Sequence, residues 1–227
     1  MRILFLHLSD MHVKDDAAIK SFQISKIADT LNAFSWDRMV IFISGDIAFS
    51  GEKKQYGVTK RIIGQLIDDI KSRCGHSGWI DTICVPGNHD LNHDGNPRTS
   101  MELQSINRSS AYLDNLDGEF AKQKHFFSFA SKYNCFSDGK AWCRRILHYD
   151  GYNVEINLVN SAVFSILEED KGLHFLPNQC IDEIAEPSHA DFVITIMHHS
   201  PEWYTDTQKN QIDETICGKS SLVMYGH

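Results

Sequence analysis

Apolar residues along this chain gather into short unbroken runs, separated by segments in which they recur every three or four positions. Residues 2–8, 38–44 (RMVIFIS) and 80–85 are runs of strand length. Each ends in a polar turn: Ser9-Asp10, Gly45-Asp46 and Pro86-Gly87-Asn88. A half-exposed strand would alternate, so runs this continuous predict strands covered on both faces. Between them, Ile19, Phe22, Ile27, Leu31 and Phe34 follow helical spacing, as do Ile62, Ile63, Leu66, Ile67 and Ile70. Strand and helix alternating in this order predict βαβ units.

The pattern changes over about residues 93–138, which are polar and aromatic, with helix-like stretches at 101–116 and 119–133. This stretch reads as a helical insertion lying over a crevice at the strand ends. Residues 142–149 and 152–159 then flank Asp150-Gly151, a pair that accepts the positive φ values of a type I′ hairpin turn. After a helix at 178–185, the run 192–197 (FVITIM) ends on His198-His199, and 221–225 ends on Gly226-His227. With no repeat, low-complexity tract or linker, residues 1–227 read as one domain, and 42% hydrophobic content suffices for its core.

The formal net charge of −8 argues against a broad nucleic-acid surface, which needs clustered Lys and Arg. Only small basic groups occur: Lys53-Lys54, Lys60-Arg61, Lys71 with Arg73, and Arg144-Arg145. The six cysteines, at 74, 84, 135, 143, 180 and 217, contain no CxxC pair, so a zinc knuckle or redox motif is not expected. The apolar start is interrupted by His7 and Asp10 before it forms a signal core, and no span is long enough for a membrane. These features predict a soluble cytoplasmic protein with inert thiols.

Every polar turn listed above carries metal-ligand side chains. Asp10 and His12, two apart beyond a strand, project to one side and offer a carboxylate and an imidazole. Gly45 frees space for a sharp turn before Asp46. Asn88, His89 and Asp90 sit in consecutive positions of a tight turn and cannot all point one way, so they should have distinct roles. His198-His199 follow a buried run, where a ring costs free energy unless it is paired or bound. Each piece alone fits an ordinary polar turn. Their shared place at strand ends converges them on one crevice.

In this order the pieces resemble the calcineurin-like metallophosphoesterase superfamily, whose pattern reads D-x-H, G-D, G-N-H-D/E, H, G-H-x-H. The resemblance runs from the first strand to the last residue. Within the superfamily, GDIAFSG (45–51) and VPGNHD (85–90) look most like the cyclic-nucleotide-phosphodiesterase-like branch. It implies a four-layer α/β/β/α sandwich of two mixed β-sheets flanked by helices.

It also implies two divalent metal ions, manganese first with iron or zinc as alternatives, and hydrolysis through a metal-bridging hydroxide. Asp10 and His12 would hold one ion, Asn88, His198 and His227 the second, and Asp46 would bridge them. His198 is preferred to His199 because relatives read H-x-P or H-H-P here with the first histidine as ligand, although Ser200-Pro201 shifts the proline by one. His89 would protonate the leaving oxygen or stabilise phosphoryl charge, with Asp90 orienting it. Relatives carry a second histidine two positions beyond His227 and then further strands. On that basis this chain would be the N-terminal part of a longer protein with further domains, and its second metal site the more complete one.

The leading expectation is a phosphodiesterase acting on a nucleotide-type substrate. A DNA repair-type nuclease of the same superfamily is one alternative, and a metal-poor protein-interaction scaffold is another. Tyr112, Phe120, Phe126, Phe127, Phe129 and Tyr133 of the insertion could stack on a base, but their helical spacing favours core packing.

Overall fold

The computed structural model describes residues 1–227 apart from 22, 75–77, 94–98, 109–115 and 137–138. Strands β1 (Ile3–Leu8), β2 (Arg38–Ser44) and β3 (Trp79–Val85) pair in parallel in the order β1-β2-β3. Helices α1 (Ala17–Ser21) and α2 (Ile24–Leu31) lead from β1 to β2, and α3 (Lys53–Cys74) leads from β2 to β3. The central strand β2 is buried from Met39 to Ser44, which explains why its sequence never alternates. Ile63, Leu66 and Ile70 of α3 enter the same core as Met39 to Ile43. Each such side chain contributes about 1.5–3 kcal/mol by burial.

The second sheet has the order β4-β5-β6-β7. Strands β4 (Trp142–Tyr149) and β5 (Tyr152–Val159) form the expected antiparallel hairpin, closed by Asp150 at φ 46° and Gly151 at φ 87°. These two positive values are those of a type I′ turn. β6 (Phe192–Met197) and β7 (Leu222–Tyr225) then add in parallel. The sheets face each other through β2 and β3 against β5 and β6. α7 (Asn178–Ala185), α8 (Asp206–Ile212) and a π-helical turn at Asp213–Cys217 cover the outer face of the second sheet. They pack Ile181, Ile184, Ile212 and Ile216 with Val159 and Met197.

The layers are therefore α/β/β/α, as expected. One detail differs: only the second sheet is mixed, and the first is wholly parallel among the described residues, because helical crossovers join all its strands. Helices α4 (Ser100–Arg108), α5 (Leu116–Lys122) and α6 (Lys124–Ala130) occupy the aromatic stretch. α6 packs on α3 and β3, and Phe120, Phe126, Phe127 and Phe129 are buried in the main core, so these rings are packing residues. Tyr133 is partly buried against that core. Phe22 and Tyr112 lie outside the described residues.

An ion pair also joins the sheets. Arg145 of β4 donates to Asp81 of β3 at 2.8 Å and to the Tyr133 carbonyl at 3.1 Å, with both charged side chains about one-fifth exposed. Charged hydrogen bonds this sheltered contribute about 1.5–3 kcal/mol. Asp81→Ala should lower the free energy of unfolding by about that amount, read as a lower urea midpoint at unchanged slope. An unchanged midpoint would show that the pair contributes nothing.

Candidate metal centre

Beyond their strand ends, the β1 and β2 loops keep the parallel pairing going. Asp10 N–H donates to the Gly45 carbonyl at 3.2 Å, His12 N–H to that of Asp46 at 2.9 Å, and Val13 N–H to that of Ile47 at 3.1 Å. This lays Asp10, His12 and Asp46 side by side. Asp10, His12, Asp46 and His227 all have left-handed backbone, with φ of 51°, 43°, 51° and 51°. L-residues pay about 1–2 kcal/mol for that conformation. Strain of this kind gathers where side-chain placement matters more than local comfort.

Three groups of ligand atoms converge here, each within 4.8 Å: Asp10, Asp46, His198 and His227; His12, Asp46 and His89; and His198, His199 and His227. Asp46 belongs to the first two. Its Oδ2 lies 3.7 Å from His12 Nε2 and 3.5 Å from His198 Nε2, while His198 Nε2 and His227 Nδ1 are 3.1 Å apart. Asp10 reaches His12 Nε2 at 4.0 Å and is the most exposed of the set. Asn88 is buried, and its Oδ1 has no hydrogen-bond partner.

The His198 ring is closely enclosed by backbone. Side chains at Gly45, Gly87 or Gly226 would each collide with it, so three chain segments approach the imidazole as bare backbone. Its Nδ1 lies 2.7 Å from the Ser44 carbonyl, an acceptor only, so Nδ1 carries the hydrogen and Nε2 faces Asp46 and His227. Burial opposes a charge on His198, yet Asp46 and the Ser44 carbonyl outweigh it and hold the ring above its ordinary pKa. His227 is shifted the other way, by burial and then by His198.

His89 and Asp90 do not touch through their side chains. His89 Nδ1 meets the Phe49 carbonyl at 2.9 Å, its ring stands edge-on to His12 with centroids 4.5 Å apart, and its N–H donates to Asp46 Oδ1 at 2.9 Å. The fully buried Asp90 carboxylate instead accepts from the amides of Ile47, Ala48 and Gly87 at 2.9–3.1 Å and from the Tyr56 hydroxyl at 2.9 Å. The expected role of Asp90 in orienting the His89 ring is thus corrected: the Phe49 carbonyl does that, and Asp90 joins the GDIA loop to the GNHD turn. Burial, then the charge on Asp46, raise the Asp90 carboxyl to about 6 against its backbone donors.

His199 turns away from Asp46 into a buried network that the apolar pattern does not reveal. Its Nδ1 lies 2.9 Å from Ser161 Oγ and its Nε2 2.8 Å from Glu169 Oε2. His174 Nε2 is 3.0 Å from Glu169 Oε1. Burial and then His174 push the His199 imidazolium down to about 3, so the ring is neutral at neutral pH. Burial alone would raise the Glu169 carboxyl, but the two rings outweigh it and keep it well below the usual range. Glu169 and His174 sit between strands, with no run or spacing to single them out.

Among the described residues, five side chains of the basic groups stand in ion pairs. Arg61 pairs with Asp16, Arg73 with Asp29, Lys54 with Glu52, Arg144 with Glu155 and Arg145 with Asp81. All six cysteines are free thiols, and no helix among the described residues is long and apolar enough to cross a membrane.

A family model described as calcineurin-like phosphoesterase matches residues 3–227. A solved dimetal phosphatase from Danio rerio is similar at 10% identity and a TM-score of 0.47, covering 99% of this chain and 81% of that one. No curated protein sequence matches. With the family model spanning almost every residue and the strand-end carboxylates and imidazoles drawn together, the chain belongs to the calcineurin-like phosphoesterase family.

Proposed function

We propose that this chain is a dimetal-dependent phosphodiesterase acting on a nucleotide-type ester. Family membership supports the coarser part, a phosphoester hydrolase with two divalent ions. In this reading Asp10 and His12 hold one ion, Asn88, His198 and His227 the other, and Asp46 contacts both. The observation that carries it is the position of Asp46 Oδ2, within 3.7 Å of His12 Nε2 and 3.5 Å of His198 Nε2. The donors fit such a centre: the unpartnered Asn88 oxygen is already desolvated, and the His198 tautomer presents a bare Nε2. Mixed carboxylate, amide and imidazole donors suit manganese, iron or zinc, with manganese our first choice. When bound, two such ions supply Lewis acidity and activate water for in-line attack.

The protein's own groups do the rest. With Nδ1–H given to the Phe49 carbonyl, His89 in its imidazolium form carries its second hydrogen on Nε2 and delivers that proton to the leaving oxygen, ending as the neutral ring. Two dications against Asp10 and Asp46 leave a positive centre, so an acidic protein still attracts an anionic ester. The nucleotide-type preference is supported by the rim beside His89. There Phe49 is 42% exposed, its ring 5.9 Å from that of His89, with Lys14 Nζ 4.9 Å above it. An apolar face next to a cation suits a planar leaving group that carries phosphate.

Purified with manganese, the protein should contain between one and two ions per chain and cleave bis(p-nitrophenyl) phosphate faster than p-nitrophenyl phosphate, losing metal and activity on chelation. Faster monoester cleavage would reassign it as a phosphomonoesterase, and well under one ion per chain with no cleavage would indicate a scaffold. His89→Ala should retain its metal while turnover falls about 10²–10⁴-fold; unchanged turnover would remove His89 from the reaction. Asp46→Asn, which removes the shared charge, should lower metal content at both positions, measured by atomic emission. Full occupancy in that variant would refute the shared role.

A further inference from the structure

The segment between β5 and α7 crosses beside the proposed centre without supplying any residue assigned to it. It is pinned at its start by Asn160, whose amide exchanges two hydrogen bonds with buried Gln123 at 2.7 and 3.2 Å. Near its end, Gly172 and His174 N–H both donate to the Trp203 carbonyl at 3.0 Å. Between these anchors stands Glu169, with its carboxylate almost wholly buried.

Ser161 decides what Glu169 meets. Its Oγ accepts the amide hydrogens of His198 and His199 at 3.2 and 3.1 Å, which occupies both lone pairs. The hydroxyl hydrogen therefore goes to His199 Nδ1 at 2.9 Å, leaving that nitrogen an acceptor and placing the ring hydrogen on Nε2. His199 Nε2–H then donates to Glu169 Oε2 at 2.8 Å. This assignment distinguishes two uses of the Glu169, His174 and His199 cluster, whose ligand atoms lie within 4.8 Å of one another. A third metal there would need a bare His199 Nε2, the atom that carries the hydrogen. The same Glu169 Oε2 lies 3.7 Å from His227 Nε2, across the ring from the Nδ1 that faces His198. Trp203, whose carbonyl anchors the segment, also packs its ring edge-on to His227 with centroids 4.2 Å apart.

We propose that Glu169 is the positioning residue for His227, taking its Nε2–H so that Nδ1 is presented to the second metal, with His199 and His174 fixing the carboxylate. The inference rests on His227 being a ligand, as proposed above. A carboxylate behind a metal-bound histidine fixes its tautomer and ring orientation and raises its basicity, and its loss weakens metal binding about 10–100-fold. Ser161, His199 and His174 act one step further out.

The test uses the full chain loaded with zinc and needs no substrate. Histidine-ring nitrogen spectra should show His227 coordinated through Nδ1 with a slowly exchanging hydrogen on Nε2. Competition with a chromogenic chelator should show zinc bound about 10–100-fold more weakly by Glu169→Gln, with the thermal midpoint of the metal-free protein measured alongside. Coordination through Nε2, affinity within about twofold of the parent, or three tightly held zinc ions per chain would overturn the proposal. Should Glu169→Gln fail to fold, the ring spectrum of the unsubstituted protein decides alone. His227→Ala separates the two readings: unchanged zinc binding there refutes His227 as a ligand, whereas weakened binding there with parental affinity in Glu169→Gln refutes only the role of Glu169.

Discussion

Everything at the centre of this molecule depends on one buried carboxylate. Asp90 has no contact with solvent, and leaving such a charge unpaired would cost several kcal/mol. It is retained because three backbone amides and a tyrosine hydroxyl converge on it. Those donors come from the loop after β2, the turn after β3 and the first turns of α3, so one side chain clamps three segments. Asp46 and Asn88 flank the clamped amides and inherit their positions. The charge on Asp46 is, after burial, the second contributor to the raised Asp90 carboxyl.

Around that clamp the two sheets contribute unequally. The parallel sheet supplies Asp10, His12, Asp46 and Asn88 from the C-terminal ends of three strands. The mixed sheet supplies His198 and His227 from β6 and β7, which are neighbours. Between the halves, three glycines remove the atoms that would keep the His198 ring from Ser44. The inner residues of the site are thus set by backbone, whereas His227 is flanked on its far side by the side chains of Glu169 and Trp203.

β2 and β6 were legible because burial leaves uninterrupted apolar runs, and β4 and β5 because they flank a hairpin turn; all four have the bounds that the sequence predicts. The hairpin turn was legible for a steric reason, since Asp-Gly accepts positive φ at both positions. α8 was not, because Asp206 to Ile212 buries only Ile212 and its sequence is otherwise polar. Within the site, the motif residues at strand ends converge as their shared position predicts, with the His198 ring facing Asp46 and that of His199 facing Glu169. What Asp90 bonds to is not readable in this way, since adjacency in sequence says nothing about which way neighbouring side chains leave a tight turn. Ser161, Glu169 and His174 stayed invisible because a polar residue buried by a loop leaves no periodic trace.

The left-handed backbone at Asp10, His12, Asp46 and His227 restricts how these positions can drift. At such a φ, glycine sits without penalty and asparagine or aspartate with little, alanine is strained, and a β-branched side chain is nearly excluded. The site is therefore bounded by stereochemistry as well as by ligation. A descendant of this chain that abandoned its metals would find Gly and Asn open at these places and Val or Ile closed. It would keep the outline of the centre in its backbone long after the chemistry had gone.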